Sequence, residues 1–244
     1  MVRKSRKSRE EWKTYKNVFD QHVERLIFGL SSQGYFKDLV SPIALGKEAN
    51  VFLALKEDGS KVIVKIYRLE NKNFNNMFYY ISSDPRFAGI ENQKRKIVFS
   101  WVQREYRNLL LARERITVPT PLGFKDNILI MEYIGDDDPA PMLKDEFPED
   151  GLDFFKQVIK NMKKLIDAGL IHGDLSDFNI LNYNGKPVFI DMSQSTPLKT
   201  QNARELLERD LKNVFRAFKR HIKVDEDKIT KEVMNYFDKK MNED

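Results

Sequence analysis

The stretch from Ile171 to Ser195, IHGDLSDFNILNYNGKPVFIDMSQS, constrains the fold more than any other part of the chain. Its two short apolar runs, 180–181 and 188–190, predict two strands. Between them stands Asn184-Gly185, a dipeptide typical of a two-residue hairpin turn because both of its residues must accept positive φ. The sequence therefore predicts a β-hairpin in this region.

Oxygen-bearing side chains flank the predicted hairpin. Asn179 precedes its first strand and Asp191 follows its second, so the turn brings both to the open end. Asp174 lies on the loop that leads in. Two carboxylates and an amide at one mouth suit a hard cation such as Mg²⁺, which prefers oxygen ligands and keeps some water. The alternative is a polar turn whose aspartates only cap backbone groups.

A lysine, Lys65, lies in the middle of the apolar run 62–67. Burying its charge is costly unless the charge is paired. One interpretation is an edge strand from which the ammonium reaches solvent. Residues 97–112 offer a second, because Glu105 falls inside the apolar stripe of a predicted helix and needs a cation. We therefore predict an ion pair between Lys65 and Glu105.

Residues 36–67 contain short apolar runs separated by turn residues, which predicts a three-stranded antiparallel meander. Asp58-Gly59 marks one turn, and the loop 46–50, GKEAN, joins the first two strands. Backbone N–H groups of such a loop can cover nucleotide phosphates, although its single glycine, taken alone, is better explained by a plain hairpin. The chain has no Walker A sequence, which argues against a P-loop NTPase.

Apolar residues recur at helical spacing in most of the remaining chain. The predicted helices are 17–30, 97–112, 152–169, 203–218 and 225–240, with a shorter helix at 74–80 and a hairpin formed by 122–124 and 128–133. The aspartates at 136–138 mark a change in composition that indicates a boundary between two lobes, or no more than a solvated turn. These elements together predict an α+β fold.

Composition narrows the class of protein. The chain has 244 residues, of which 41% are hydrophobic and 32% charged, so it is globular. No apolar run reaches the ~20 residues needed to cross a bilayer, and the N-terminus lacks the apolar segment of a signal peptide. Cysteine is absent, which excludes disulfides and thiolate chemistry. We expect a cytoplasmic protein that does not contact membranes.

The N-terminal segment 1–16 is strongly basic and nearly free of apolar residues. Its composition predicts a solvated, partly disordered arm. The net charge of +5 leaves a second interpretation open, in which the arm grips phosphates of RNA or of a ribosomal particle.

Two motifs carry a family resemblance. His172-Gly173-Asp174 with Asn179 resembles the catalytic loop of protein kinases, and Asp191-Met192-Ser193 resembles their metal loop. The glycine of the first motif, the string MSQS in the second and the loop GKEANV are similar to the RIO family of atypical kinases. The resemblance covers roughly residues 17–240 and is to the first subfamily, which lacks an N-terminal winged helix.

The resemblance implies a reduced, two-lobed protein-kinase-like fold. Its N-lobe, 17–134, would hold an N-terminal helix, an antiparallel sheet and a flexible insertion at 71–96. Its mainly helical C-lobe, 135–244, would hold the catalytic and metal loops. The activation loop, the A-P-E segment and the helices that bind protein substrates in ordinary kinases are not visible in the sequence.

The resemblance also implies roles for individual residues. Asp174 would accept a proton, Asn179 and Asp191 would hold Mg²⁺ or Mn²⁺, and Asp191 could itself become phosphorylated. The residues implied in binding ATP are Lys65 with its partner Glu105, the loop residues Gly46, Lys47, Glu48 and Val51, and the hinge residues Glu132 and Ile134. His172 is predicted to be a structural hydrogen-bonding residue, and Asp210 to brace the catalytic loop.

Two functions from different classes stay open. One is a phosphotransferase that acts on a seryl or threonyl hydroxyl of a protein. The other is an ATP-gated assembly factor for the small ribosomal subunit precursor, in which hydrolysis triggers release. A pseudokinase is disfavoured because Lys65, Glu105, Asp174, Asn179 and Asp191 are all present. The oligomeric state is not predicted.

Overall fold

The computed structural model describes residues 19–70 and 74–243, so the predicted basic arm at 1–16 lies outside the described residues. Within the described part of the chain, the small lobe contains one sheet and three helices, and a larger, mainly helical lobe follows. The small lobe contains α1 (Gln21–Ser32), β1 (Asp38–Leu45), β2 (Ala49–Leu55), β3 (Lys61–Tyr67), α2 (Phe74–Ser82), α3 (Lys94–Ala112), β4 (Pro121–Lys125) and β5 (Ile128–Glu132).

The large lobe is built mainly from helices. Its elements are α4 (Gly151–Asp167), β6 (Leu170–Ile171), β7 (Ile180–Tyr183), β8 (Lys186–Phe189), β9 (Thr196–Pro197), α5 (Ala203–Phe218) and α6 (Glu226–Glu243). One hydrophobic cluster joins the lobes, and it includes Trp101 of α3 and Phe154 of α4. The predicted α+β, two-lobed architecture is confirmed.

The sheet of the small lobe is antiparallel, with strand order β1-β2-β3-β5-β4. The predicted meander forms its first three strands. Strand β3 is central, and Lys65 is paired with Val51 on one side and Leu129 on the other. The edge-strand interpretation of Lys65 is therefore wrong.

Helix α1 covers the outer face of this sheet. Its buried side chains Val23, Leu26, Ile27 and Leu30 pack in a cluster with residues of β2, β3 and β5. The helix begins later than the predicted residue 17, at Gln21, because Asp20 caps it by accepting a hydrogen bond from the nitrogen of Val23 at 2.8 Å.

Part of the predicted insertion is packed against the small lobe. The short helix predicted at 74–80 is present as α2, and a 3₁₀ turn follows at Pro85–Phe87. Between them Asp84 is fully buried, and it accepts hydrogen bonds from Arg86 and Arg104. Helix α3 begins at Lys94, three residues before the predicted start at 97.

The predicted hairpin of the large lobe is formed by β7 and β8, whose register pairs Ile180 with Phe189. Its turn residues have the positive φ that the dipeptide indicated, 52° at Asn184 and 74° at Gly185. Within the described residues, no helix is long and apolar enough to cross a membrane.

Candidate active site

The ion pair predicted between β3 and α3 is present. The ammonium nitrogen of Lys65 lies 2.8 Å from Oε1 of Glu105, and the hydroxyl of Tyr67 donates to the other carboxylate oxygen. Both charged side chains are buried, Glu105 completely. Burial disfavours the ammonium ion, but the adjacent carboxylates of Asp191 and Glu105 outweigh it and raise the pKa of Lys65 well above its ordinary value. Lys65 is therefore a fixed positive charge.

Asp191 lies directly opposite Lys65. Its Oδ1 accepts hydrogen bonds from Nζ of Lys65 at 3.0 Å and from Oγ of Ser193 at 2.7 Å. Burial opposes its ionisation, yet Lys65 and Ser193 hold the pKa of Asp191 below its ordinary value. Its backbone is left-handed, with φ of 58°, a conformation uncommon for residues other than glycine. Two residues beyond the end of β8, the chain thus presents a carboxylate to the small lobe.

The loop that carries Asp174 is held by its backbone. Gly173 has φ of 77°, and a Cβ atom there would lie 2.8 Å from the carbonyl oxygen of Gln194, so the site requires glycine. Asp210 of α5 accepts hydrogen bonds from the nitrogens of Gly173 at 2.7 Å and Leu175 at 2.9 Å. The predicted bracing role of Asp210 is therefore observed.

The carboxyl group of Asp174 is half-buried beside the metal loop. Its Oδ2 accepts a hydrogen bond from Nε2 of Gln194 at 3.1 Å. Burial raises the pKa of Asp174 to about 6, and the nearby charge of Asp191 adds to the effect. A carboxylate with this pKa is ionised near neutral pH and is a better proton acceptor than an ordinary aspartate.

His172 has the structural role predicted for it. Its Nε2 lies 3.0 Å from the carbonyl oxygen of Ile190, which ties the catalytic loop to the end of the hairpin. Burial lowers the pKa of His172 to about 4, so the ring is neutral at physiological pH. It is enclosed, while Asp174 faces the cavity between the lobes.

That cavity has a volume of about 420 Å³, within the usual range for small-molecule sites. Its lining also includes Ser176, Phe178, Ser193 and Gln194. Eight of the predicted residues line it: Gly46, Lys47, Glu48, Val51, Lys65, Asp174, Asn179 and Asp191. They come from the loop 46–51, from β3 and from the segment 174–191, so only the fold brings these three parts of the chain together. We call this cavity the cleft.

Three predicted residues do not line the cleft. Glu105 is buried behind Lys65. Glu132 ends β5, where its nitrogen donates to the carbonyl of Thr120 at 2.8 Å and its carboxylate accepts from the nitrogen of Thr120 at 3.0 Å. Ile134 packs on the hydrophobic cluster around Leu181. Both hinge residues lie outside the lining of the cavity, and their contact with ATP stays a prediction.

The donor set of the cleft fits Mg²⁺. No group of three or more His, Cys, Asp or Glu side chains with metal-binding geometry occurs in the described part of the chain. Mg²⁺ sites that also use phosphate oxygens and water need only one or two protein carboxylates. The amide nitrogen of Asn179 donates to the backbone oxygen of Asp174 at 2.8 Å, so its carbonyl oxygen is the atom that a cation would bind alongside Asp191.

Comparison with known proteins agrees with this geometry. The family model of the RIO domain matches residues 50–241. The chain belongs to the RIO family. It is 38% identical to the RIO-type serine/threonine-protein kinase Rio1 of Haloferax volcanii over 88% of this chain and 74% of that protein. Identity to the Rio1 kinase of Methanocaldococcus jannaschii is 39%, over 90% and 76% of the two chains.

The chain is therefore a RIO-type atypical serine/threonine kinase, and the predicted first subfamily fits these relatives. Its fold is similar to that of the Rio2 kinase of Chaetomium thermophilum, solved as an ADP/Mg²⁺-phosphoaspartate complex. That likeness has a TM-score of 0.65 at 20% identity, over 88% of this chain and 68% of that one.

Two residues of this RIO kinase that hold the metal loop were missed by the sequence analysis. Arg104, fully buried, donates to the carbonyl oxygen of Ser193 at 2.8 Å. Asn108 donates to the carbonyl oxygens of Met192 at 2.9 Å and Ser195 at 2.8 Å. A signal was present, because both lie on the apolar stripe of α3 beside Glu105.

Proposed function

We propose that this RIO kinase transfers the γ-phosphoryl group of ATP from a Mg²⁺ complex bound in the cleft. The observation that carries the proposal is the convergence of Lys65, Asp174 and Asp191 on one cavity, with an ion pair fixing the first of them. In phosphoryl transfer the protein does little covalent chemistry itself, so its main tasks are to position the reacting groups and to neutralise their charge.

The two lobes supply different parts of the nucleotide site. Lys65, with Glu105 behind it, would contact the α- and β-phosphates, and the loop 46–51 would cover them with backbone N–H groups. Asn179 and Asp191 would hold Mg²⁺, which when bound would supply positive charge against the charge that develops during transfer. Mn²⁺ takes the same oxygen ligands and is the alternative metal.

In the reaction, an acceptor hydroxyl oxygen bonds to the γ-phosphorus while the bond between that phosphorus and the β–γ bridging oxygen breaks, and ADP leaves. Asp174 orients the hydroxyl and accepts its proton. The half-buried position of this carboxylate and its pKa near neutrality support the role.

Three acceptors are compatible with the cleft. A seryl or threonyl hydroxyl gives a protein kinase. Water gives an ATPase, which would serve as a release switch on the small ribosomal subunit precursor. Asp191 is the third: its carboxylate oxygen would bond to the γ-phosphorus as ADP leaves, and water would later hydrolyse the aspartylphosphate. The phosphoaspartate named for the Rio2 structure supports this route, and the basic net charge supports a ribosomal partner.

The test is turnover of ATP labelled on its γ-phosphorus, with Mg²⁺, in the presence and absence of small ribosomal subunit precursors. Label that ends mainly on added protein supports the protein kinase. Free phosphate that increases with the particles supports the switch. The absence of both transfer and hydrolysis, in a protein that unfolds cooperatively, would overturn the proposal.

A further inference from the structure

A second groove opens beside the cleft on the surface of the large lobe. Its volume is about 820 Å³. Its walls come from the segment 143–147, from the catalytic loop at 174–178, and from residues 213–221, which form the end of α5 and the segment just after it and which we call the α5 wall. Asp174, Ser176 and Phe178 line both the groove and the cleft. The groove therefore leads directly to the carboxylate proposed to accept the proton.

The catalytic loop presents an exposed aromatic ring to this groove. Phe178 lies between Asp174 and Asn179 in the chain and is 58% exposed. The ammonium nitrogen of Lys144 lies 5.1 Å from the centre of its ring. A large apolar side chain in this position does not contribute to the core and offers a contact surface next to the reacting group.

The opposite wall is basic. Arg216 in the last turn of α5, and Lys219 and Arg220 just after the helix, are exposed. The guanidinium of Arg216 hydrogen-bonds Asn213, a neutral partner. The lining also contains two carboxylates apart from Asp174. One of them, Asp145, is paired with Lys144 at 2.8 Å; the other is Asp177. Positive charge is in excess on the α5 wall.

We propose that this groove binds the polypeptide that receives the phosphoryl group, and that it selects acidic residues beside the acceptor serine or threonine. This proposal rests on the proposed function and names its substrate class. The hydroxyl oxygen bonds to the γ-phosphorus, the bond to the ADP oxygen breaks, and the proton passes to Asp174. Carboxylates flanking the hydroxyl meet Arg216 and Arg220, while an apolar neighbour contacts Phe178.

A polypeptide fits this lining better than RNA does. Asp145 and Asp177 line the walls that face the basic α5 wall, and their carboxylates would repel a continuous run of phosphates. A peptide can place its carboxylates against the arginines and its backbone N–H groups against these aspartates. Of the three aromatic rings in the lining, Phe147 and His221 are stacked on each other with their centres 3.8 Å apart. Fewer ring faces are thus offered than in non-specific RNA grooves, which stack successive bases on several rings.

The test uses three serine peptides of equal length, flanked by glutamates, by lysines or by neutral residues. We expect wild-type protein to favour the acidic over the basic peptide by about tenfold in kcat/KM, a difference of ~1.4 kcal/mol. The preference should shrink in high salt because exposed charges are screened. The variant Arg216→Glu with Arg220→Glu should reverse the order of the two charged peptides, a change that misfolding cannot produce.

A matched control changes the same charge on another helix. Lys156→Glu with Lys160→Glu has the same spacing, on the exposed side of α4 and outside the groove, and should keep the wild-type preference. If all three peptides are labelled at the same rate, the proposal that the groove selects acidic peptides is wrong, while the proposed phosphoryl transfer stands.

Two further outcomes also decide the matter. ATP hydrolysis with no labelled peptide would overturn a protein acceptor, and the groove with it. A single-stranded RNA oligonucleotide that inhibits labelling of all three peptides equally, with inhibition lost in the α5 variant, would assign the groove to RNA and overturn the peptide proposal.

Discussion

The ammonium nitrogen of Lys65 lies 3.0 Å from Oδ1 of Asp191, a residue 126 positions away in the chain. This contact spans the cleft from the central strand of the small lobe to the metal loop of the large lobe. Because Lys65 is also paired with Glu105, one buried cation holds a carboxylate from each lobe. The same side chain thus contributes to the relative placement of the lobes and to the charge of the site.

Replacing Lys65 with methionine should reduce both stability and activity. The change leaves the buried carboxylate of Glu105 without its cation, which typically costs ~3–5 kcal/mol in the free energy of unfolding. Removing a positioned charge from the site should lower ATP turnover by about a hundredfold or more. Urea unfolding and steady-state ADP release measure the two effects.

Adding Glu105→Gln to Lys65→Met should recover part of the lost stability, because the uncompensated charge is then removed, but not the activity. Lys212→Met, at an exposed position of α5, serves as the control and should behave as wild type. A Lys65→Met protein with turnover within threefold of wild type would refute the assigned role.

Asn108→Asp should weaken the response to Mg²⁺. The amide nitrogen of Asn108 donates to the carbonyl oxygens of Met192 and Ser195, while its Oδ1 accepts from Arg86 at 2.9 Å. A carboxylate keeps the contact with Arg86 but repels both carbonyls of the metal loop. Groups that orient metal ligands typically affect metal affinity by about 10–100-fold. We expect at least a tenfold rise in the Mg²⁺ concentration for half-maximal ADP formation.

The matched control for that variant is Asn242→Asp, the same chemical change at an exposed position of α6. It should leave the Mg²⁺ dependence as in wild type. If Asn108→Asp lowers only the unfolding temperature, and the Mg²⁺ curve does not move, then Asn108 supports the fold and does not position the metal loop.

Much of the site could be predicted from local sequence. Asn184-Gly185 determined the hairpin, and the charge of Lys65 inside an apolar run demanded the partner found in Glu105. The apolar stripe of α3 signalled that Arg104 and Asn108 are buried, but their partners in the metal loop could not be predicted because they are backbone atoms. Arg104 donates to the backbone carbonyl of Ser193. Because every residue carries such a carbonyl, the sequence does not show which one Arg104 contacts.

The hinge prediction stays a prediction, and it depended on position in the chain alone. Glu132 and Ile134 were placed by position in the family pattern, since backbone contacts with a nucleotide leave no side-chain signature. In the structure, Thr120 binds both the nitrogen and the carboxylate of Glu132. That pairing depends on how β5 meets the segment before β4, which the residue types alone do not determine.

Activity should depend on pH through Asp174. Burial raises the pKa of its carboxyl group to about 6, and a proton acceptor must be ionised. We therefore expect kcat/KM to fall about tenfold per pH unit below 6 and to reach a plateau above about 7. A profile that stays flat from about pH 5 to pH 8 would contradict this role.

The same group affects stability with the opposite sign. The pKa of Asp174 in the folded protein is above its ordinary value of 3.8, so folding favours the protonated form. Its contribution is therefore fully present below about pH 4 and is lost as the pH rises through 6. Comparing the free energy of unfolding of wild type and Asp174→Asn across this window should show the wild type losing stability relative to the variant.

The most direct test of the account is single-turnover phosphoryl transfer by Asp174→Asn at saturating Mg²⁺ and ATP. The amide keeps the shape of the side chain but cannot accept the proton, so the rate should fall about 100- to 10,000-fold while a fluorescent ATP analogue still binds with affinity close to that of wild type. A transfer rate within a few-fold of wild type would contradict the claim that the cleft transfers the phosphoryl group with Asp174 as its base.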